Sequence, residues 1–348
     1  MEDWRKVRIL ACRSGEIFAR RICKHLEEKY SWKNIGIHVD PKKFSNGEIN
    51  PIIRETIRNC YAYVVQNIDD PDSGRTPQEN FDELYRLIAA ARDAVDVAGE
   101  VSVIMPNYYG ARQHKSKKRE SIAARLTADI LKVAGASSVL SMDVHDEAIV
   151  GYFTDVKFKN LHASEYIIPF LRSNFHDFVN YRIRKDGEEV SGLAVGGPDA
   201  GSAKRSRYYA QQLNAGWIIG DKFRDYDKPN KDSVEEIVLL GDIKEKNILV
   251  IDDMIDTAGT DKDMCYELKK QGANDILLVC TIPIFSYPAV ERLTKLHKEK
   301  VISGVIGTDS VIHEIKPEWY YEVSVAPLAG DAVFNIKHGN SVYEREAL

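Results

Sequence analysis

The stretch ILVIDDMIDTAGT, Ile248 to Thr260, decides the fold. Its first four residues are apolar without a break, which is how a central parallel strand reads when both of its faces are covered. Two adjacent aspartates, Asp252 and Asp253, end that run. Asp256, Thr257, Gly259 and Thr260 then build a turn into a helix expected to begin near Asp261. Ligands of open α/β sheets bind outside the carboxyl ends of the strands, and paired carboxylates there can accept hydrogen bonds from the vicinal hydroxyls of a sugar. The turn offers something else. Backbone N–H groups at a helix start lie at the positive end of a dipole worth about half a charge, a good seat for a phosphate. The whole stretch reads as a grip for a sugar phosphate. The plainer alternative is that Thr260 caps a helix while the aspartates are solvated or bind a metal.

Outward from this stretch, apolar runs alternate with helical patterns: VRILAC, AYVVQNI, VSVIMP, SVLSMDV, GLAVGG, GWIIG, DILLVCTI and VISGVIG. That alternation predicts an α/β fold with central parallel sheets flanked by helices. Within ESIAARLTADILKVAG, the spacing puts Ile122, Leu126, Ile130 and Val133 on one helix face, with Gly135 as the C-terminal stop. A second helix, DKDMCYELKKQG, stops at Gly272 in the same way. A faint repeat couples VLSMDVHDEAIVGYF with ILVIDDMIDTAGT, and VSVIMPNYYGARQ with VSGLAVGGPDAGSAKR. Two tandem domains, 1–160 and 161–348, follow from it.

The chain of 348 residues is long enough for two cores. With 29% charged residues and a formal net charge of -5, nothing in its bulk calls for nucleic acid or a membrane as partner. Cys12, Cys23, Cys60, Cys265 and Cys280 are odd in number, scattered and without a C-x-x-C pair, which argues against a disulfide framework or a zinc site and for a cytoplasmic protein. Gly196 and Gly201 have the spacing of a phosphate-binding P-loop. Ser202 and Ala203 stand where that loop needs Lys and Ser or Thr, so a Walker-type ATPase is disfavoured. The run RQHKSKKRE is basic but lacks interleaved aromatics and lies between a strand and a helix, so it suits an anionic ligand better than nucleic acid.

VIDDMIDTAGT resembles the ribose 5-phosphate loop that type I phosphoribosyltransferases share with ribose-phosphate pyrophosphokinases. KFSNGEI, YYGARQHKSKKRESIAARLTADIL, SMDVHDEAIVGYF, GGPDAGSAKR, DKFR and VSVAPLAGDAV follow the pyrophosphokinase order, so the chain resembles that family over nearly its full length. The resemblance implies two tandem phosphoribosyltransferase-like domains, the first with the ATP loop and the second with the ribose 5-phosphate loop. It implies transfer of the β,γ-diphosphoryl group of Mg-ATP to the C1 hydroxyl of ribose 5-phosphate. Such a transfer depends on positioning and on neutralising charged oxygens.

By the same resemblance, Lys222 and Arg224 of DKFR are the catalytic cations, and Asp252, Asp253, Asp256, Thr257, Gly259 and Thr260 bind ribose 5-phosphate. Arg112 and Gln113 bind ATP together with Phe44, Asn46 and Glu48, the last three supplied by a neighbouring subunit. That implies a homo-oligomer, usually a hexamer of dimers. His145 and Asp199 hold Mg2+. Two positions depart from the pattern: His114 replaces an acidic residue after Arg-Gln, and Ser202 replaces a glycine. The alternatives are a non-catalytic synthetase-like regulatory subunit, which predicts damage at these residues, and a type I phosphoribosyltransferase, which needs only one such domain.

Overall fold

A computed structural model describes residues 3–96, 99–116, 118–185, 187–223 and 236–342. Arg224, one of the two expected catalytic cations, lies outside the described residues. The chain divides into two compact units. Among the described residues, the first unit lies within 3–163, 309–314 and 324–342, and the second within 164–308 and 315–323.

In the first unit, β1 (Val7–Ala11), α1 (Glu16–Tyr30), β2 (Gly36–Ile37), β3 (Val39–Lys43), β4 (Ile49–Ile53), β5 (Tyr61–Val65), α2 (Pro77–Val95), β6 (Glu100–Ile104), α3 (Ala123–Ala134), β7 (Ser138–Met142) and β8 (Lys157–Leu161) follow in order. In the second come α4 (Ser164–Asn174), α5 (His176–Val179), β9 (Arg182–Lys185), β10 (Glu188–Ser191), β11 (Leu193–Gly196), α6 (Ala203–Gln212), β12 (Gly216–Trp217), β13 (Ile219–Phe223) and β14 (Glu236–Leu240). The same unit continues through β15 (Asn247–Ile255), α7 (Gly259–Lys270), β16 (Ile276–Pro283), α8 (Ala289–Lys298), β17 (Gly304–Thr308) and β18 (Tyr320–Val323). The last helix, α9 (Ala326–Lys337), returns to the first unit. There it packs on α1: Tyr30 and Phe334 stack with ring centroids 3.7 Å apart, and His25 Nε2 meets Asp331 Oδ1 at 2.6 Å.

The two large sheets have orders β2-β1-β5-β6-β7-β8 and β12-β11-β15-β16-β17-β18, and every pairing in both is parallel. They match strand for strand, so the duplication is real, but the sequence paired the wrong copies. Strand β15 occupies the place of β5 and β11 that of β1, whereas the faint repeat had coupled them with β7 and β6. The misleading cue was the acids. The apolar run of β5 passes into Gln66 and Asn67, both buried, where that of β15 passes into Asp252 and Asp253.

Local chemistry explains the elements that frame these sheets. Helix α2 opens with a capping box, in which Glu79 N donates to Thr76 Oγ1 and Thr76 N donates to Glu79 Oε2, with Pro77 in the first turn. It buries Leu84, Leu87, Ile88 and Ala91. Gly135, at φ +108°, stops α3 as expected. The buried face of α3 is a different one from that read in the sequence. Ala124, Thr127, Ala128 and Leu131 are covered, while Leu126 is 53% and Val133 79% exposed. At about 100° per residue, Leu126 and Ala128 project to nearly opposite sides, and the side of Ala128 is the covered one. The hydrophobic spacing was genuine, yet it could not say which stripe the neighbouring helix covers.

Candidate active site

Strand β15 runs apolar and buried from Ile248 to Ile251 and continues past both aspartates to Ile255. The acids therefore sit within the strand's second half, held by its pairing to β16, where Asp252 lies opposite Cys280. Asp253 is buried, and its N–H donates to Asp252 Oδ1 at 2.8 Å. Burial, then the charges of Asp253 and Asp261, push the Asp252 carboxyl well above the usual carboxylate range. The turn that follows puts Ala258 in a left-handed conformation at φ 56°, and α7 starts at Gly259, two residues before the expected position. Its N-cap residue, Ala258, has no side chain that can cap the helix. Thr260 is already inside the first turn and is not the N-cap residue. Arg292 Nη1 donates to Thr257 O at 2.9 Å and fixes the turn from α8.

Beside β15, β11 ends at Gly196 and opens into Gly197–Ser202. Ser202 locks this loop: its Oγ donates to Asp199 O at 2.6 Å and its N–H to Asp199 Oδ1 at 3.0 Å. The charge of Asp199 acts on both Asp252 and Asp261, so the loop after β11 and the end of β15 share one electrostatic environment. β13 belongs there too, because a Cβ on Gly220 would lie 2.5 Å from Gly197 O. Lys222 follows two residues later, its backbone paired with Ile237 of β14.

Asp261 was read from the sequence only as the start of a helix. It is 5% exposed, and its Oδ1 has no hydrogen-bond partner among the described residues. Burial, with the charges of Asp199 and Asp253, pushes its carboxyl up to about 7 despite the helix N–H that favours the anion. An unfolded Asp ionises near about 3.9, so across the window up to about 7 the folded chain keeps a proton that the unfolded chain has lost. Stability from this group is complete below the unfolded value and is lost as pH rises through the folded one. Asp261→Asn should therefore stabilise the metal-free protein more at pH 8 than at pH 5, with a ceiling of about 4 kcal/mol. Thermal melts with a chelator present test this, and an equal shift at both pH values would refute it.

In the first unit, the loop after β6 carries Arg112 and Gln113 and that after β7 carries His145. The structure brings these two loops together, with the His114 and His145 rings 5.5 Å apart between centroids. Asp146 accepts from Lys115 Nζ at 2.9 Å and from Ala148 N at 2.9 Å. Those bonds, Lys115 first, hold its carboxyl below the ordinary range. Phe44 is 42% exposed at the tip of the β3–β4 hairpin, with Lys42 Nζ 4.9 Å from its ring centroid. Asn46 Oδ1 accepts from Glu48 N at 3.1 Å, and Phe44 N donates to Glu48 O at 2.8 Å, closing the turn. His145 and Asp199 belong to different units. Among the described residues no group of three or more His, Cys, Asp and Glu is arranged to hold a metal ion.

Two matched six-stranded parallel sheets, one with paired carboxylates near the end of a central strand and a helix start just beyond, define the phosphoribosyltransferase-like class of α/β proteins. Residues 7–135 match the N-terminal domain of ribose phosphate pyrophosphokinase, and residues 178–322 match the phosphoribosyl transferase domain. The ribose-phosphate pyrophosphokinase of Clostridium perfringens is 34% identical over 100% of this chain and 98% of its own length. That of Bacillus subtilis is 34% identical over 86% of each. A crystal structure of phosphoribosylpyrophosphate synthetase from Mycobacterium smegmatis superposes with a TM-score of 0.80 at 25% identity, covering 96% of this chain and 99% of that one. The chain belongs to the ribose-phosphate pyrophosphokinase family, and it is an enzyme of that family.

Proposed function

We propose that this enzyme transfers the β,γ-diphosphoryl group of Mg-ATP to the C1 hydroxyl of ribose 5-phosphate, giving phosphoribosyl pyrophosphate and AMP. The observation that carries the reading is the end of β15: adjacent carboxylates inside a strand, followed by a turn into a helix whose N-cap residue, Ala258, has no capping side chain. Asp252 and Asp253 accept from the ribose hydroxyls, and the 5-phosphate takes the N–H groups and hydroxyls of Asp256, Thr257, Gly259 and Thr260. Arg112 and Gln113 hold the nucleotide. The exposed Phe44 ring suits stacking on adenine, with Asn46 and Glu48 at the base edge. In an oligomer this hairpin serves a neighbouring subunit, and the exposed Leu126 and Val133 on α3 support association of copies. A homo-oligomer of hexameric type in the cytoplasm follows from the family resemblance. No helix among the described residues is long and apolar enough to cross a membrane.

Asp199 and His145 are the proposed Mg2+ ligands. The second unit fits a divalent cation, because Asp252 and Asp261 are buried among carboxylates whose mutual repulsion a cation would relieve. Magnesium keeps several waters and binds through one or two carboxylates plus substrate phosphates, so a sparse protein ligand set is no obstacle. When bound, it would screen the phosphate charge. Lys222 and Arg224 are the cations proposed to stabilise the oxygens that gain charge as the bond to AMP breaks.

Phosphorus NMR on the purified protein with ATP, ribose 5-phosphate and Mg2+ tests the reaction. AMP and a new pyrophosphoryl signal coupled to an anomeric proton are expected, both requiring ribose 5-phosphate. Folded protein that binds ribose 5-phosphate but forms neither product would overturn the proposal.

A further inference from the structure

We infer that His114 and Asp146 clamp the nucleotide loop onto the loop that carries His145, making His114 a positioning residue for Mg-ATP. This rests on the synthetase reading above. His114 directly follows Gln113, and Asp146 directly follows His145, so one contact between them joins the two loops at the residues next to the proposed ligand groups. His114 Nε2 lies 2.9 Å from Asp146 Oδ2, with side chains 14% and 28% exposed. The other ring nitrogen, Nδ1, lies 3.3 Å from Ala111 O, and Tyr152 donates its hydroxyl to His114 O. Asp146 is fixed from its own side by Lys115 Nζ and by Ala148 N at the start of a short 3-10 turn, Glu147–Tyr152.

An exposed ion pair contributes little because both side chains must be immobilised and water screens the charges. Here the ring is sheltered with an acceptor beside each nitrogen, and the carboxylate accepts from two further donors. Little ordering remains to be done when the contact forms. The pair thus holds two loops in a register that neither loop has alone, since each leaves its strand as irregular chain. Loss of the contact should loosen the nucleotide site and leave the ribose 5-phosphate loop, built on β15 in the second unit, as it is.

The test is steady-state kinetics on the purified full chain, varying Mg-ATP and ribose 5-phosphate separately, with calorimetric titration of Mg-ATP alongside. His114→Ala should raise KM and Kd for Mg-ATP about tenfold, the effect of one good hydrogen bond, with kcat and the ribose 5-phosphate KM within about threefold. His114→Gln keeps a donor that can reach Asp146 and should recover most of the loss. His114→Asp sets two carboxylates against each other and should be worse than alanine. Adding Asp146→Asn to it should restore binding, because contacting residues are not additive. A KM rise shared equally by both substrates, a glutamine variant no better than alanine, or an additive double variant would each overturn the clamp. If the parent protein makes no AMP, the reaction proposed above fails on its own, and the calorimetric Kd series still decides the clamp.

Discussion

Lys222→Ala is expected to lower turnover by about 10²–10³, the scale seen when one preorganised transition-state donor is removed, while the KM values stay within a few-fold. β13 holds Lys222 in a two-stranded ladder with β14, and Gly220 lets that strand approach the carbonyl of Gly197 so closely that no side chain would fit. The backbone bearing Lys222 therefore leaves the loop of Asp199, next to the end of β15, in a fixed direction. In the proposed catalytic role, Lys222 acts on oxygens that gain charge during the transfer more than on those of bound ATP, so its loss should appear in kcat. Lys222→Arg keeps the charge but alters donor geometry and should fall between parent and alanine. Measured kcat and KM for both substrates decide the matter. Near-parental turnover in the alanine variant would remove Lys222 from the catalytic assignment and leave the enzyme class untouched.

Much of this was legible in the sequence, for physical reasons that differ by element. β15 could be read because a strand covered on both faces must be apolar throughout, and Ile248–Ile251 is. The stops at Gly135 and Gly272 could be read because their left-handed conformations, at φ +108° and +88°, suit glycine. The duplication was only half legible. Its two copies agree in strand order and in nothing that pattern matching weighs, since Gln66 and Asn67 keep the polar end of the strand and drop the charge.

What stayed hidden depends on burial and on contacts between loops distant in sequence. Asp261 lies in DTAGTDKD among residues that look equally solvated, and only the packing of α7 against its sheet shows that it is covered. Nothing in either motif announces that His114 and Asp146 meet, because 32 residues separate them and neither has a neighbour of diagnostic spacing. The buried face of α3 differs for the same reason: two stripes at helical spacing are present, and the one covered is that of Ala124, Thr127, Ala128 and Leu131.

Gly197→Ala should be nearly as damaging as loss of Lys222, by a route that carries no charge. A Cβ at this position would stand 2.0 Å from Ser202 Oγ, 2.5 Å from Ser202 Cβ and 2.9 Å from Ile251 O. None of these atoms is the free end of a flexible side chain. Ser202 is buried and bonded to Asp199 through its hydroxyl and its N–H, and Ile251 O belongs to the strand residue just before Asp252. Whichever yields, the shift reaches a proposed ligand group: Asp199 on one side, the ribose carboxylates on the other. Overpacking of this kind costs about 1–3 kcal/mol in stability, and a displacement of about 1 Å at a reacting site costs on the order of 10²-fold in rate. The variant should therefore fold with a lowered melting temperature and lose about 10² in kcat/KM for ribose 5-phosphate. Gly151→Ala is the matched control, since a Cβ there meets nothing within 4 Å. Ser202→Gly in the Gly197→Ala background removes the two nearest clashing atoms, so part of the activity should return. A Gly197→Ala enzyme with parental kinetics would mean that the loop after β11 can move without disturbing the substrates, and Asp199 would then lose its place in the proposed metal site.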